Sequence, residues 1–467
     1  MEHYDLAIVG GGAGAFAAAI RASELGAKAV LINEGLPLGG TCVNVGCVPS
    51  KTLLHAAEVV HGVGEHNIPG IQLSVDSIDF GAVVEDELTL VKHLQHEKYS
   101  KVLQGLDHVT LMEGWASFAG SNELEVNGQR LTADKFIIAT GSKASVPLIE
   151  GIEEVGYMTH IEALKRKTVP KELLIIGAGY VGLEMAQLYS RFGSKVTILQ
   201  RGDHVMPSAE RELTDRLVEI FKGEGIEVKT GVQITKASRN GDKKELAYTQ
   251  NGEEQTISGE EILIAAGRTA NTARLNLGAV DVKTTDKAAV ETSSSLRTSN
   301  PNIFAVGDVT NLPLRLETTA AREGTLAVDN ALKETDRSLD YSLAPYTIFT
   351  DPQLASVGYT EDRQMEELNA CACRTVSFEL VPKGQIIKRT EGLIKMAIHP
   401  QTRVIMGVHI LAPNAGDLIA QAMVLIQNKN TIDDVMNSMP VFPTLSEAIK
   451  LAAMSFTKDV SKLSCCI

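Results

Sequence analysis

The chain has 467 residues, 44% hydrophobic, with 44 Lys+Arg against 58 Asp+Glu and a formal net charge of −14. That length predicts about three domains, with enough apolar material for their cores, while the acidic balance and the lack of any Lys/Arg cluster exclude a nucleic-acid partner. No uninterrupted apolar run reaches spanning length, so membrane insertion is not expected, and six cysteines are too few for a disulfide scaffold and fit a reducing, cytoplasmic setting.

The opening LAIVGGGAGAFAAAI lacks the positive flank of a signal peptide, because Glu2 and Asp5 stand there and glycine breaks the run. It reads as strand, turn and helix. Gly10, Gly12 and Ala15 form GxGxxA: Gly10 for the tight turn, Gly12 for close approach of a pyrophosphate, and Ala15 for close helix packing. Glu34 ends the next predicted strand, where it can accept from a ribose.

Next comes GGTCVNVGCVPSKTLLHAAEVV, in which Cys42 and Cys47 precede an amphipathic run. A helix N-terminus there favours thiolate, and the pair reads as a redox-active disulfide, with buried structural cysteines the alternative. Val84, Leu88, Val91 and Leu94 then recur at helical spacing as a packing stripe.

A second βαβ unit follows in ELLIIGAGYVGLEMAQLYSRFGSKVTILQR, with Gly177, Gly179 and Gly182 in the glycine positions. Two such units suggest a flavin and a nicotinamide. The acid that would close the second unit is replaced by Gln200, followed by Arg201, a pairing that favours a 2′-phosphate and hence NADPH over NADH; the alternative is an ordinary solvated arginine.

The segment GGTCVNVGCVPSK resembles the active site of the flavin-dependent pyridine nucleotide-disulfide oxidoreductases, a family that includes glutathione, lipoamide, thioredoxin and mercuric ion enzymes, and the likeness extends along essentially the whole chain. FIIATGSKASVP and ILIAAGRTANT resemble the segments closing the family's two nucleotide folds, and NIFAVGDV its second flavin motif. The resemblance implies an α/β fold of two Rossmann-like domains, for FAD and NADPH, plus a C-terminal α+β interface domain. The expected division is 1–150 for the first part of the flavin domain, 151–270 for the NADPH domain, 271–340 for the second part of the flavin domain and 341–467 for the interface domain. It also implies cofactor contacts at Gly40, Thr41, Thr140, Gly141, Gly267 and Asp308, a Lys51–Glu184 pair beside the flavin, and a gate at Tyr180. Cys42 is implied as the exchange thiol, Cys47 as the thiolate nearer the flavin, and two chains are implied to pair head to tail as a homodimer.

Disulfide-reducing members carry a His-Pro-Thr-x-x-Glu segment whose histidine protonates the leaving thiol. Here VFPTLSEAIK places Phe442 at the histidine position and retains Pro443, Thr444 and Glu447, so the orienting acid is expected to lack its partner. The loss of that histidine and the ending IKLAAMSFTKDVSKLSCC resemble the mercuric-ion-reducing members, although those commonly place tyrosine where Phe442 stands. On that resemblance Cys465 and Cys466 capture Hg(II) from mercuric thiolate complexes and pass it to Cys42 and Cys47 of the other chain, two thiolates being a fitting ligand set for a soft ion. The rivals are a high-molecular-weight thioredoxin reductase, whose group keeps the missing histidine, and a mercury-sequestering thiol protein with a structural flavin. Cys371 and Cys373 in NACACRTV read as surface or packing cysteines, with an auxiliary mercury site as the alternative.

Overall fold

The computed structural model describes residues 1–464; Cys465 and Cys466 lie outside the described residues. The first apolar run is the strand Glu2–Val9, paired in parallel with Ala29–Asn33 and Gln129–Ile138. Both faces of this sheet are covered, so its strands are apolar without alternation, and Leu6, Ala7 and Ile8 are all fully buried. Val109–Glu113 extends one edge, the antiparallel pair Ala116–Gly120 and Glu123–Val126 extends the other, and Ile303–Ala305 returns from far along the chain to pair with Gln129–Ile138.

The second glycine motif builds a separate parallel sheet in the order Glu227–Lys229, Lys195–Leu199, Glu172–Ile176, Glu261–Ile264. Between its last two strands in sequence lies an antiparallel meander, Gln233–Asn240, Lys243–Gln250 and Glu253–Gly259, which the sequence pattern did not single out. Ser142–Ala144 and Arg268–Ala270 pair with each other and tie the exits of the two nucleotide units together.

The C-terminal part is a five-stranded antiparallel sheet ordered Tyr346–Ile348, Gln353–Gly358, Ile405–Ala412, Leu393–Ile398, Cys373–Ser377. Residues of Ala415–Gln427 and Glu447–Met454, among them Ile419, Ala422, Ile449 and Ala453, share its core. The α/β class is therefore as the sequence indicates. Within the helical excursion, Phe80–Gln95 buries Val84 and Val91 as expected and also Glu87, a carboxylate held up at about 7 by burial. Among the described residues no helix is long and apolar enough to cross a membrane.

The first glycine-motif domain depends on one close crossing. Helix Ala13–Glu24 meets helix Glu317–Leu332 where a Cβ on Gly324 would stand 2.1 Å from the Gly14 carbonyl oxygen. Alanine improves helix propensity by about 1 kcal/mol, yet here it forces two packed helices apart, an overpacking cost of about 1–3 kcal/mol. Gly324→Ala is therefore expected to lower the denaturant midpoint; an unchanged or raised midpoint would show that the crossing tolerates a methyl group.

Candidate active site

The cysteine segment folds as two helices separated by one glycine. Gly39 and Gly40 adopt φ of 99° and 58° and start the six-residue helix Gly40–Val45, which carries Cys42. Gly46 ends it, and Cys47 is the first residue of the helix Cys47–Glu65. The turn is crowded: a Cβ on Gly46 would lie 2.8 Å from the Thr41 carbonyl oxygen. Asn44 holds the arrangement from below, its amide nitrogen facing the carbonyls of Pro37 at 2.9 Å and Gly40 at 2.7 Å while Gln95 donates to its oxygen. Neither Asn44 nor Gln95 was singled out by sequence, since an isolated buried amide has no spacing signature.

The two thiols differ in environment. Cys42 is half-buried, and Cys47 is exposed. The hydrogen bond from Cys42 lowers Cys47 to about 7, with desolvation opposing and the Lys51 ammonium assisting, while the same bond and burial push Cys42 well above the ordinary thiol range. In the reduced pair Cys47 is thus the thiolate and Cys42 the proton holder, and Cys47's place at a helix start has the same sense.

Lys51, one turn beyond Cys47, donates to both Glu184 oxygens at 2.9 and 2.7 Å. Glu184 lies on the helix Tyr180–Arg191 and is 4% exposed. It also accepts the Phe349 backbone N–H at 2.9 Å, and the Lys51 ammonium stands 4.7 Å from the centre of the Phe349 ring. Tyr180, at the start of the same helix, meets Tyr346 edge to face with centroids 5.5 Å apart. Phe349 and Tyr346 were missed in sequence because they act on partners more than 160 positions away.

Both glycine loops have room for a dinucleotide. Gly10 and Gly177 take φ of 130° and 106°, and side chains there would meet the carbonyl oxygens of Ala139 at 2.2 Å and Ala265 at 2.5 Å. A Cβ on Gly12 would have only the Gly40 Cα within 4 Å, at 3.8 Å, and one on Gly179 nothing, so these two loop faces are open to a pyrophosphate. Gly182 permits the tight return, its Cβ position lying 2.0 Å from the Gly177 oxygen, and Ala15 is fully buried. Glu34 is exposed just after its strand.

Asp308 accepts from Ser142 at 2.6 Å and lies 3.3 Å from Arg268, which in turn donates to the Ser142 hydroxyl and carbonyl oxygens. Thr140 and Gly141 are held by Asn271, which exchanges side-chain and backbone hydrogen bonds with them, and Gly267 has φ of 117°. Arg268 follows directly on Gly267, yet only the folded chain shows that it faces Asp308. In the second loop the Gln200 oxygen accepts the Ala178 N–H at 3.1 Å, so Gln200 braces the glycine loop, and Arg201 is exposed. Among the described residues Arg201 makes no ion pair.

One expectation is corrected. Glu447 does not lack a partner: its carboxylate accepts the Thr444 backbone N–H at 3.1 Å, because an acid at a helix start is satisfied by the backbone just before it. Phe442 is 48% exposed in the same segment, with no ionisable group to offer.

Residues 4–331 match the pyridine nucleotide-disulphide oxidoreductase family and residues 344–453 match its dimerisation domain. The chain belongs to this family and is a flavin-dependent oxidoreductase acting with a pyridine nucleotide. Among curated relatives, the mercuric reductase of Streptomyces lividans is 42% identical over 469 residues, covering 99% of this chain and 98% of its own length. The mercuric reductase of Staphylococcus aureus is 39% identical over 466 residues, covering 99% and 84%. Of solved structures, the HOCl-induced flavoprotein disulfide reductase RclA from Escherichia coli superposes with a TM-score of 0.86 at 26% identity over 97% of this chain and 100% of that one, and its Cu(II) complex with 0.87 at 25% over 98% and 100%.

The thiol pair makes a pH prediction. Cys47 is thiolate above about 7 and loses that form as pH falls through this value. Since the Cys42 hydrogen bond is the largest cause, Cys42→Ala is expected to move the titration of Cys47 toward the ordinary thiol value of about 8.5, and Lys51→Met to move it in the same direction by less. Iodoacetamide alkylation of reduced protein across pH, read by mass spectrometry at Cys47, checks both; a midpoint unmoved in Cys42→Ala contradicts the pairing.

Proposed function

We propose that the chain is an NADPH-dependent flavoenzyme that reduces Hg(II) to elemental mercury. In balance, NADPH and Hg(II) give NADP⁺, a proton and Hg(0), with two electrons transferred. The observation that carries the reading is the strongly polarised dithiol at Cys42 and Cys47, taken with Phe442 at the sequence position where disulfide reducers carry the histidine that protonates a leaving thiol. A metal ion held by thiolates needs no proton delivered there. Full-length similarity to mercuric reductases agrees with this reading.

FAD would be held by the open Gly10–Gly12 loop, Glu34, Gly40, Thr41 and the Asp308 cluster, and NADPH by the Gly177–Gly182 loop with Arg201 at the 2′-phosphate. Bound flavin supplies two-electron transfer between nicotinamide and the dithiol. The chain's own part is to keep Cys47 ionised, to keep Lys51 fixed on Glu184 and to present Cys42 for exchange with incoming mercuric thiolate. Tyr180 is assigned the gate at the nicotinamide side. The match to a dimerisation domain supports a homodimer, in which Cys465 and Cys466 of the partner subunit deliver the ion. A reducing cytoplasm suits this thiol chemistry.

The direct test is NADPH consumption with mercuric bis-thiolate, copper(II) and oxidised thioredoxin in parallel, with mercury vapour collected. Mercury-dependent consumption with vapour release is expected, and turnover of thioredoxin alone refutes the proposal. Cys465→Ala with Cys466→Ala is expected to leave NADPH-dependent flavin bleaching intact and to slow turnover of the bis-thiolate while sparing weakly held mercuric halide; a parental rate on the bis-thiolate removes the tail from the route.

Arg201→Ala is expected to weaken NADPH binding by about 1.5–3 kcal/mol, the loss of a charge-assisted contact, with little effect on NADH. Equal losses for the two nucleotides, measured by titration, would show that Arg201 does not touch the phosphate.

A further inference from the structure

Cys371 and Cys373 are brought together with a third ligand by the C-terminal domain. Cys373 opens the edge strand of the five-stranded sheet, Cys371 lies just before it, and Glu361 begins the helix Glu361–Leu368. The two sulfurs are 2.8 Å apart, and a carboxylate oxygen of Glu361 lies with both of them inside a span of 4.8 Å. Metal–sulfur bonds of roughly 2.3 Å set two sulfurs of one ion about 3.8 Å apart in a tetrahedral site and about 4.6 Å apart in a linear one, so the thiols need to open by about 1 Å from their present contact to take an ion between them and Glu361. Both thiols are half-buried, which leaves them reachable.

The surroundings are organised. Gln364 is fully buried; its oxygen accepts the Ala372 N–H at 3.3 Å and faces the Cys373 sulfur at 3.5 Å, while its nitrogen donates to the Ile398 carbonyl at 3.1 Å. That second layer fixes the turn between the cysteines, as outer residues do around metal ligands. Lys395, 3% exposed, reaches Glu361 at 2.5 Å and Glu210 at 2.9 Å. Two thiolates and the Glu361 carboxylate would carry three negative charges, of which a divalent ion offsets two, while the Lys395 ammonium is shared among Glu361, Glu210 and Glu212.

We propose that Glu361, Cys371 and Cys373 form a second metal site, which takes a soft divalent ion such as Hg(II) through two thiolates and one carboxylate oxygen. Binding exchanges two thiol protons for two metal–sulfur bonds, releasing two protons and the ion's original ligands, and no electrons move. The site lies on elements other than those carrying Cys42 and Cys47 and concerns binding alone, so it stands or falls independently of the proposed turnover.

The experiment uses the full chain with Cys42, Cys47, Cys465 and Cys466 all replaced by alanine. It is loaded with mercuric chloride and passed through gel filtration in excess cysteine, which strips ions held by a single thiol. One ion retained per chain is expected, with X-ray absorption showing two sulfur neighbours. Glu361→Gln in that background is expected to speed loss of the ion about tenfold, and adding Cys371→Ala and Cys373→Ala to abolish retention. No retained ion, fewer than two sulfur neighbours, or retention that survives removal of Cys371 and Cys373 would each overturn the assignment. Cys371→Ser alone and Cys373→Ser alone, each expected to abolish retention, keep the test decisive even if the last variant does not fold.

Discussion

The carboxylate of Glu184 is the point on which the rest of the active centre depends. It belongs to the helix that opens the second nucleotide unit, yet it is held by Lys51 from the cysteine helix and by the Phe349 backbone from the C-terminal domain. Three parts of the chain therefore meet at one nearly buried charge. Such a charge is tolerated only while its partners stay in place, so the site couples the positions of the three parts to one another. A second junction supports it: Asp351, two residues beyond Phe349, pairs with Arg191 at the end of the Glu184 helix and with Arg389 from the C-terminal domain. Burial would raise that aspartate, but the two guanidinium groups outweigh it and hold it below the usual carboxylate range.

The chemistry at the cysteines follows from the same economy of placement. Gly46 divides what would otherwise be a single helix, and the division sets Cys47 at a helix start while Cys42 remains in the preceding turn. The asymmetry between two chemically identical thiols comes first from the hydrogen bond between them, with burial acting on both and the ammonium that Glu184 holds in place assisting Cys47.

The sequence displays what is local. Both glycine loops, their flanking strands and the helix that follows Cys47 are legible because each depends on residues within about thirty positions, and the α/β class follows from them, whereas the short helix Gly40–Val45 that carries Cys42 was not read. The pairing of Lys51 with Glu184 was legible only through resemblance, since by charge alone each is unremarkable. What could not be read are meetings across long separations: Gln95 with Asn44, Arg268 with Ser142 and Asp308, and Phe349 with Glu184. The cluster of Glu361 with Cys371 and Cys373 was hidden for a similar reason, because its carboxylate comes from the preceding helix and no ligand spacing marks it. At Glu447 the reading went wrong through a purely local effect, the capture of a side chain by the backbone beside it.

Gln200 has a bearing on how the nucleotide preference can change over time. Its side-chain oxygen tethers the Ala178 amide of the glycine loop, and a glutamate of almost the same shape would keep that acceptor. Exchange between a ribose-accepting and a phosphate-accepting loop therefore need not pass through a form in which the loop has lost its brace. The Gln200 nitrogen also donates to the His204 carbonyl oxygen at 3.3 Å, a bond a glutamate would give up while keeping the loop brace, and on the proposed reading Arg201, exposed and in no ion pair among the described residues, is the neighbouring site where the preference can be retuned in single steps.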